Sequence, residues 1–244
     1  MNNNSGLSNQ RLFHFKQFSL SDSDCAMKIG TDGVLLGSVS ALYNSAKTLD
    51  VGTGCGLIAF MIAQKSDALI TGIDLDPIAI NVANENLKRN PWQNQIKFIQ
   101  SSFQEFAEKS NDKFDLIVCN PPFFNNSLKG PGHLRNLARH TISLNPDDLL
   151  KGVPYLLNPL GTFLLIAPCE QEKNWVNLAK ASALSCYIKI LIYPKPGKPP
   201  KRIILGFSFG KNDLVEESVT IETEVRNIFT DGYKALTADY YLDF

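Results

Sequence analysis

The sequence predicts an α/β fold built on a doubly wound, mostly parallel sheet. Three observations lead there: short apolar runs alternate with helical stretches along the chain, one run (FDLIVC, from Phe114) is apolar on nearly every position as a central strand covered on both faces would be, and a glycine-rich turn follows the first run. Taken in order, the polar Asn/Ser-rich residues 1–11 are expected to be disordered, and 12–244 to form one domain. Asp32–Tyr43 has helical spacing, Lys47–Val51 reads as a strand, and Leu57–Gln64 as a helix. Ala68–Asp74 is a second strand. Pro77–Lys88 is a helix, with proline in its first turn and Ile78, Ile80, Val82, Ala83 and Leu87 as its apolar face. Ile96–Gln100 and Phe114–Cys119 are the third and fourth strands. Asp147–Leu157 is a helix, Gly161–Ala167 a fifth strand and Asn174–Leu184 a helix. Tyr187–Tyr193 and Ile203–Phe209, joined by PKPGKPPKR, complete seven strands as an antiparallel hairpin closing the sheet, with Val219–Glu222 as a candidate short edge.

Composition narrows the class further. The 244 residues are 44% hydrophobic, with 24 basic against 24 acidic groups, so a general polyanion-coating surface is excluded and any nucleic-acid contact must be local. The five cysteines include no CxxC pair and the three histidines are scattered, which argues against a disulfide framework or a metal site and for a reducing compartment. The start lacks the apolar core of a signal peptide, and no apolar run approaches a membrane span. A soluble, cytoplasmic protein is expected, with a monomer favoured.

The turn after the first strand reads Asp50-Val51-Gly52-Thr53-Gly54-Cys55-Gly56. Glycines allow a sharp turn and close approach of a ligand, here at the carboxyl ends of the strands. The spacing is GxGxG rather than GxGxxG, and a carboxylate two residues before Gly52 would repel a pyrophosphate. It can accept hydrogen bonds from an ammonium, directly or through water, so a cofactor with an amino-acid end, such as S-adenosylmethionine (SAM), fits better. Asp74, ending the second strand about twenty residues on, is placed for ribose hydroxyls. Asp76 suits an N-cap. After the third strand, Ser101 or Ser102, with Phe103 next in line, can meet an adenine, or simply form a turn.

The second motif is Asn120-Pro121-Pro122-Phe123, at the end of the fourth strand. An amino group conjugated to a base ring is a poor nucleophile. The Asn120 side-chain oxygen and the Pro121 carbonyl can accept its two N–H bonds and aim its lone pair, the prolines stiffen the loop, and Phe123 offers a stacking face.

With both motifs in place, the chain resembles the class I N-P-P-[FYW] amino-methyltransferases, which have a Rossmann-like fold. More closely it resembles the bacterial tRNA1(Val) adenine-37 N6-methyltransferases. The strings FHFKQFSL, CAMKIGTDGVLLGS, LDVGTGCGLIAFMIAQ, GIDLDPIAINVANENLKRNPW, FDLIVCNPPFF, LARHT and YKALTADYY carry the likeness over nearly the whole chain. The resemblance implies SAM as cofactor, a tRNA substrate, and Lys28, Thr31 and Asp32 on a segment closing over SAM, although Thr31 or Asp32 also suits an N-cap. It places Phe15, Lys16, Gln17 and Phe18 near the active site, with a buried N-terminal strand as the alternative. Two basic loops can contact phosphates: Lys129, His133, Arg135, Arg139 and His140, of which Arg139 and His140 lie in the ARH string the family shares, and Lys195, Lys198, Lys201 and Arg202. A guanine-N2 methyltransferase of ribosomal RNA, a protein glutamine methyltransferase and a non-enzymatic SAM- or RNA-binding module remain as competing readings. The first of these commonly has an extra domain, and the second typically has tyrosine where Phe123 stands.

Overall fold

The computed structural model describes residues 12–122, 144–210 and 213–243. Its main sheet has eight strands: β3 (Lys47–Val51), β4 (Leu69–Asp74), β5 (Ile96–Gln100), β6 (Phe114–Cys119), β7 (Leu157–Pro168), β8 (Ser185–Tyr193), β9 (Arg202–Ser208) and β10 (Val215–Thr220). A separate two-stranded hairpin precedes it, β1 (Leu12–His14) and β2 (Ser19–Ser21). The order across the main sheet is β10-β8-β9-β7-β6-β3-β4-β5. All neighbours are parallel except β9, which runs antiparallel between β7 and β8.

The expected seven strands are all present, and β10 is the eighth. It occupies Val215–Thr220 rather than 219–222, pairing parallel with β8, so the β8–β9 hairpin lies inside the sheet and does not close it. The hairpin strand β9 takes the slot beside β7, and its nearly continuous burial fits that covered position.

Helices cover both faces. The first face carries α1 (Thr31–Ser40), α2 (Leu57–Ala63), α3 (Pro77–Lys88) and α7 (Asp231–Thr237), and the second carries α4 (Phe103–Lys109), α5 (Pro146–Leu156) and α6 (Glu172–Ala181). Strand alternation sorts the core between them. Leu116, Val118, Leu164 and Ile166 face the first layer, while Ile117, Cys119, Phe163 and Leu165 face the second. Capping explains several helix starts. Asp76 accepts from the Ile78 N–H before Pro77, and Asn145 accepts from the Asp148 N–H before Pro146. The cap of α1 is Gly30, in extended conformation, so Thr31 and Asp32 are the first two helical residues and neither is the cap.

The N-terminal hairpin packs on the main body through Phe15, Phe18, Leu20 and Ser21, while Phe13, His14, Lys16 and Gln17 are exposed. Phe15 is 4% exposed, stacked on Phe18 and Tyr241, so it is a core residue and presents no face to an RNA. The segment 238–241 holds the hairpin in place: the Lys16 N–H donates to the Tyr240 carbonyl at 2.8 Å, Lys16 Nζ donates to the Ala238 carbonyl, and the Tyr240 hydroxyl donates to the Met61 carbonyl in α2.

Candidate active site

The chain lays down β3, β4 and β5 in one direction and then returns to place β6 on the other side of β3. Ligands in open α/β sheets bind where the strand order reverses in this way. Val51 and Cys119 are register partners, so Gly52 and Asn120 are the first residues beyond the paired strand ends and face the same crevice. The two motifs that the sequence separates by almost seventy positions are therefore neighbours.

The glycine turn has the shape its sequence requires. Gly52, Gly54 and Gly56 have φ of 71°, 58° and 90°. Among the described residues, nothing beyond the adjoining residues lies within 4 Å of where a Cβ would stand at Gly52 or Gly54, leaving space on that side of the turn for a ligand. Gly56 is different: a Cβ there would meet Phe98 and Phe60. The Gly52 and Thr53 N–H groups donate to the Ile73 carbonyl, and the Gly54 N–H donates to Asp74 Oδ2 at 2.9 Å, tying the turn to the end of β4.

Two buried oxygens at this crevice lack partners. Asp50 is 1% exposed; its Oδ2 accepts from the Thr53 hydroxyl at 2.7 Å, while Oδ1 makes no hydrogen bond of good geometry, although the Ala59 N–H in the first turn of α2 is close enough to favour the charged carboxylate. Asn120 Oδ1 is likewise buried and unpaired, whereas its Nδ2 donates to the Met27 sulfur at 3.5 Å. Among the described residues only six buried side-chain N or O atoms are without a partner, and two of them lie at these adjoining strand ends. Leaving one such acceptor unsatisfied costs about 1–3 kcal/mol, so the pair is an arrangement a ligand with donor groups would relieve. Burial pushes the Asp50 carboxyl up to about 7, opposed by the Thr53 hydroxyl and reinforced by the nearby Asp74 carboxylate. Burial also raises Asp74, against the main-chain N–H groups of Asp76 and Gly54 that it accepts from. These observations fit SAM: two carboxylates, Asp50 and Asp74, border the turn as acceptors for a ligand's polar groups, and there is open space over Gly52 and Gly54.

Other expected contacts are changed. The Ser102 hydroxyl caps α4 by accepting from the Glu105 N–H at 3.1 Å, and the Ser101 hydroxyl donates to the Ser102 carbonyl. The Phe103 side chain is buried in the second core layer. The Phe103 N–H, at the first position of α4, has no intrahelical partner. Lys28 Nζ donates to the Asp22 carbonyl and folds its own loop. Asp32 Oδ2 accepts from Arg202 Nε at 2.9 Å. That ion pair occupies Asp32 Oδ2 and Arg202 Nε, and it joins α1 to the start of β9. Thr31 sits in the first turn of α1, two residues before Gly33, where a Cβ would stand 2.9 Å from Leu57 Cδ2 and in ordinary contact, 3.9 Å, with Asn120 Nδ2. Lys198 and Lys201 are exposed on the β8–β9 connection. Phe123, Arg135, Arg139 and His140 lie outside the described residues, as do residues 1–11. Met27 and Thr53 were missed by sequence reasoning. Thr53 sits inside the glycine turn and Met27 in an irregular loop, and neither position carries a periodic signal.

Among the described residues, no group of three or more His, Cys, Asp or Glu side chains could hold a metal ion, and no helix is long and apolar enough to cross a membrane.

A methyltransferase-domain family model matches residues 43–229, and the fold and crevice are those of a class I SAM-dependent methyltransferase. A crystal structure described as a predicted O-methyltransferase from Agrobacterium tumefaciens superposes with a TM-score of 0.67 at 16% identity, covering 86% of this chain and 96% of that one. Among curated sequences, the tRNA1(Val) (adenine(37)-N6)-methyltransferase of Bacteroides fragilis strain ATCC 25285 is 42% identical over 96% of this chain and 98% of its own length. The enzyme of that name from Histophilus somni strain 129Pt is 40% identical over 95% and 98%. The chain belongs to the tRNA1(Val) (adenine(37)-N6)-methyltransferase family.

Proposed function

We propose that the protein methylates the exocyclic N6 amine of an adenine in tRNA, at position 37 of a valine tRNA as the names of its relatives indicate, with Asn120 and Pro121 as the groups that hold the amine. The observation that carries this reading is the buried, unpaired Asn120 Oδ1 one residue beyond the β3–β6 junction, next to the glycine turn. SAM supplies an electrophilic methyl group on a sulfonium centre. Asn120 Oδ1 and the Pro121 carbonyl accept the two N–H bonds of the amine and draw its nitrogen toward sp³, which directs the lone pair at the methyl group. The Asn120 Nδ2–Met27 contact favours the amide orientation that leaves Oδ1 facing the crevice. The site needs no strong base, because the methylated ammonium loses its proton readily. Phe123 is proposed as the stacking face for the base, which a single-stranded anticodon loop extrudes at small cost.

Asp50 and Asp74 are proposed to bind the ammonium and the ribose of the cofactor. A carboxyl raised from 3.8 to about 7 binds its proton more tightly in the folded state than in the unfolded one. Between those pH values the folded protein holds the extra proton, and stability falls as the pH rises. An ammonium beside ionised Oδ1 offsets that loss. Affinity for S-adenosylhomocysteine, followed by calorimetry, should therefore rise between about pH 6 and pH 8 in the wild type. Asp50→Asn should bind more weakly with a flat profile, and a wild-type affinity independent of pH would remove Asp50 from the ammonium.

Arg135, Arg139 and His140, with Lys198 and Lys201, are proposed to bind phosphates. Charge reversal at Arg135 and Arg139, or at Lys198 and Lys201, should weaken tRNA binding and lower the slope of log affinity against log salt by about one for each phosphate no longer engaged. Unaltered affinity clears the loop concerned. The function itself is tested by mass analysis of tRNA nucleosides from cells lacking the gene. Loss of N6-methyladenosine from one tRNA supports it, and unchanged adenine methylation rejects it.

A further inference from the structure

The buried stripe of α3 runs Ala79, Ala83, Asn86 and continues, just past the helix end, in Asn90, so that its last two positions are amides. A buried amide is costly unless all its hydrogen bonds are made. Asn90 answers this by docking β2: its Oδ1 accepts from the Ser19 N–H at 3.2 Å, and its Nδ2 donates to the Ser19 carbonyl at 3.1 Å and back to the Asn86 carbonyl in the last turn of α3. Asn86, at 0% exposure, does the same for the next outward residue of β2, accepting from the Ser21 N–H at 2.9 Å and donating to the Ser21 carbonyl at 2.9 Å. Its second N–H goes elsewhere, to the Cys55 carbonyl at 2.9 Å, inside the glycine turn.

We propose that Asn86 is a positioning residue that locks the glycine turn to the N-terminal hairpin, so that the two walls of the cofactor crevice are set relative to each other by one amide. One wall is the turn itself, held at Cys55 between Gly54 and Gly56. The other is the segment that leaves β2 after Ser21 and carries Met27 to the Asn120 amide. Asn86 touches neither cofactor nor substrate, and acts through Cys55 and Ser21. The inference rests on the reading that residues 52–56 hold the cofactor.

Asn90 provides the matched control, since it docks the same strand without reaching the turn. The test measures S-adenosylhomocysteine binding by calorimetry, with urea unfolding alongside, for wild type, Asn86→Ala and Asn90→Ala. Both variants lose stability. Asn86→Ala weakens binding about tenfold or more, and Asn90→Ala changes it by less than about threefold. In turnover assays the KM for SAM rises for Asn86→Ala while the KM for tRNA stays near wild type. Equal shifts in binding for the two variants, or none, overturn the proposal, whereas a wild type that does not bind at all defeats the cofactor reading instead. A measurement on the wild type covers the case of a variant that does not fold. Coupling is reciprocal, so saturating S-adenosylhomocysteine should slow exchange of the Ser21 amide hydrogen about tenfold more than that of Ser19. Equal slowing of the two amides overturns the proposal.

Discussion

Asn120→Ala should lower single-turnover methyl transfer about 10²–10³-fold, the cost of removing one preorganised polar group aimed at the reacting centre. The truncation removes the buried Oδ1 and with it one of two acceptors for the amine, leaving the nitrogen lone pair conjugated with the ring. It does not touch the Asp50–Thr53 bond, the Gly54–Asp74 bond or the turn. S-adenosylhomocysteine affinity should therefore stay within a few-fold of wild type, and the Met27 interaction that disappears is worth little by itself. Radiolabel transfer under single-turnover conditions, with calorimetry for the cofactor product, separates the two effects. A fully active variant contradicts the role given to Asn120, and a variant that loses binding and transfer together makes it a cofactor residue.

Gly56→Ala should all but abolish cofactor binding and lower the unfolding temperature by roughly 5–15 °C. Two penalties combine there. The position has φ of 90°, where a side chain costs about 1–3 kcal/mol. The new Cβ would also stand 2.8 Å from Phe98 Cζ and 2.9 Å from Phe60 Cε2, and overpacking of a core typically costs a further ~1–3 kcal/mol. Phe60 is fully buried, so the turn is the part that yields. Gly54→Ala provides the contrast. Its φ is also positive, but among the described residues nothing beyond the adjoining ones lies within 4 Å of the added Cβ, so it should unfold only a few degrees below wild type while binding the cofactor poorly, because the methyl group takes ligand space. Thermal unfolding with and without S-adenosylhomocysteine reads both. A Gly56→Ala protein as stable as Gly54→Ala would show that the Phe60–Phe98 wall is softer than its packing implies.

Much of this architecture was legible because apolar runs with definite ends have one good solution. Pro77–Lys88, Ile96–Gln100 and Phe114–Cys119 lie where their patterns put them. The order of the sheet was less so: alternation says that β8 and β9 form a hairpin, not that β9 inserts beside β7 or that Val215–Thr220 adds an outer strand. Helix α4 spans only Phe103–Lys109, too short for periodicity to speak. Its start was nonetheless written in the sequence as Ser102 followed by Glu105 three positions on, a capping arrangement that competes with an adenine contact for the same hydroxyl. In the site, Asn120 and the glycine turn could be paired in advance because chemistry demands both. The Asp32–Arg202 bond joins residues 170 apart with no local signature, so the sequence offers each partner a ligand and does not reveal that the two meet. Asn86 did leave a trace, a polar residue on an apolar stripe, but the trace identifies a buried amide and not the carbonyl it serves.

The attachment of the N-terminal hairpin to residues 238–241 has a bearing on how the molecule comes into being. The hairpin leaves the ribosome early, yet the Tyr240 carbonyl that receives the Lys16 N–H, and the Tyr241 ring that covers Phe15, are made more than two hundred residues later. Until then Phe15 lacks the ring that covers it, and a chain cut short of Tyr240 leaves that aromatic surface open. The Ser21–Asn86 end of the crevice is in this way tied, through the hairpin, to the far end of the polypeptide.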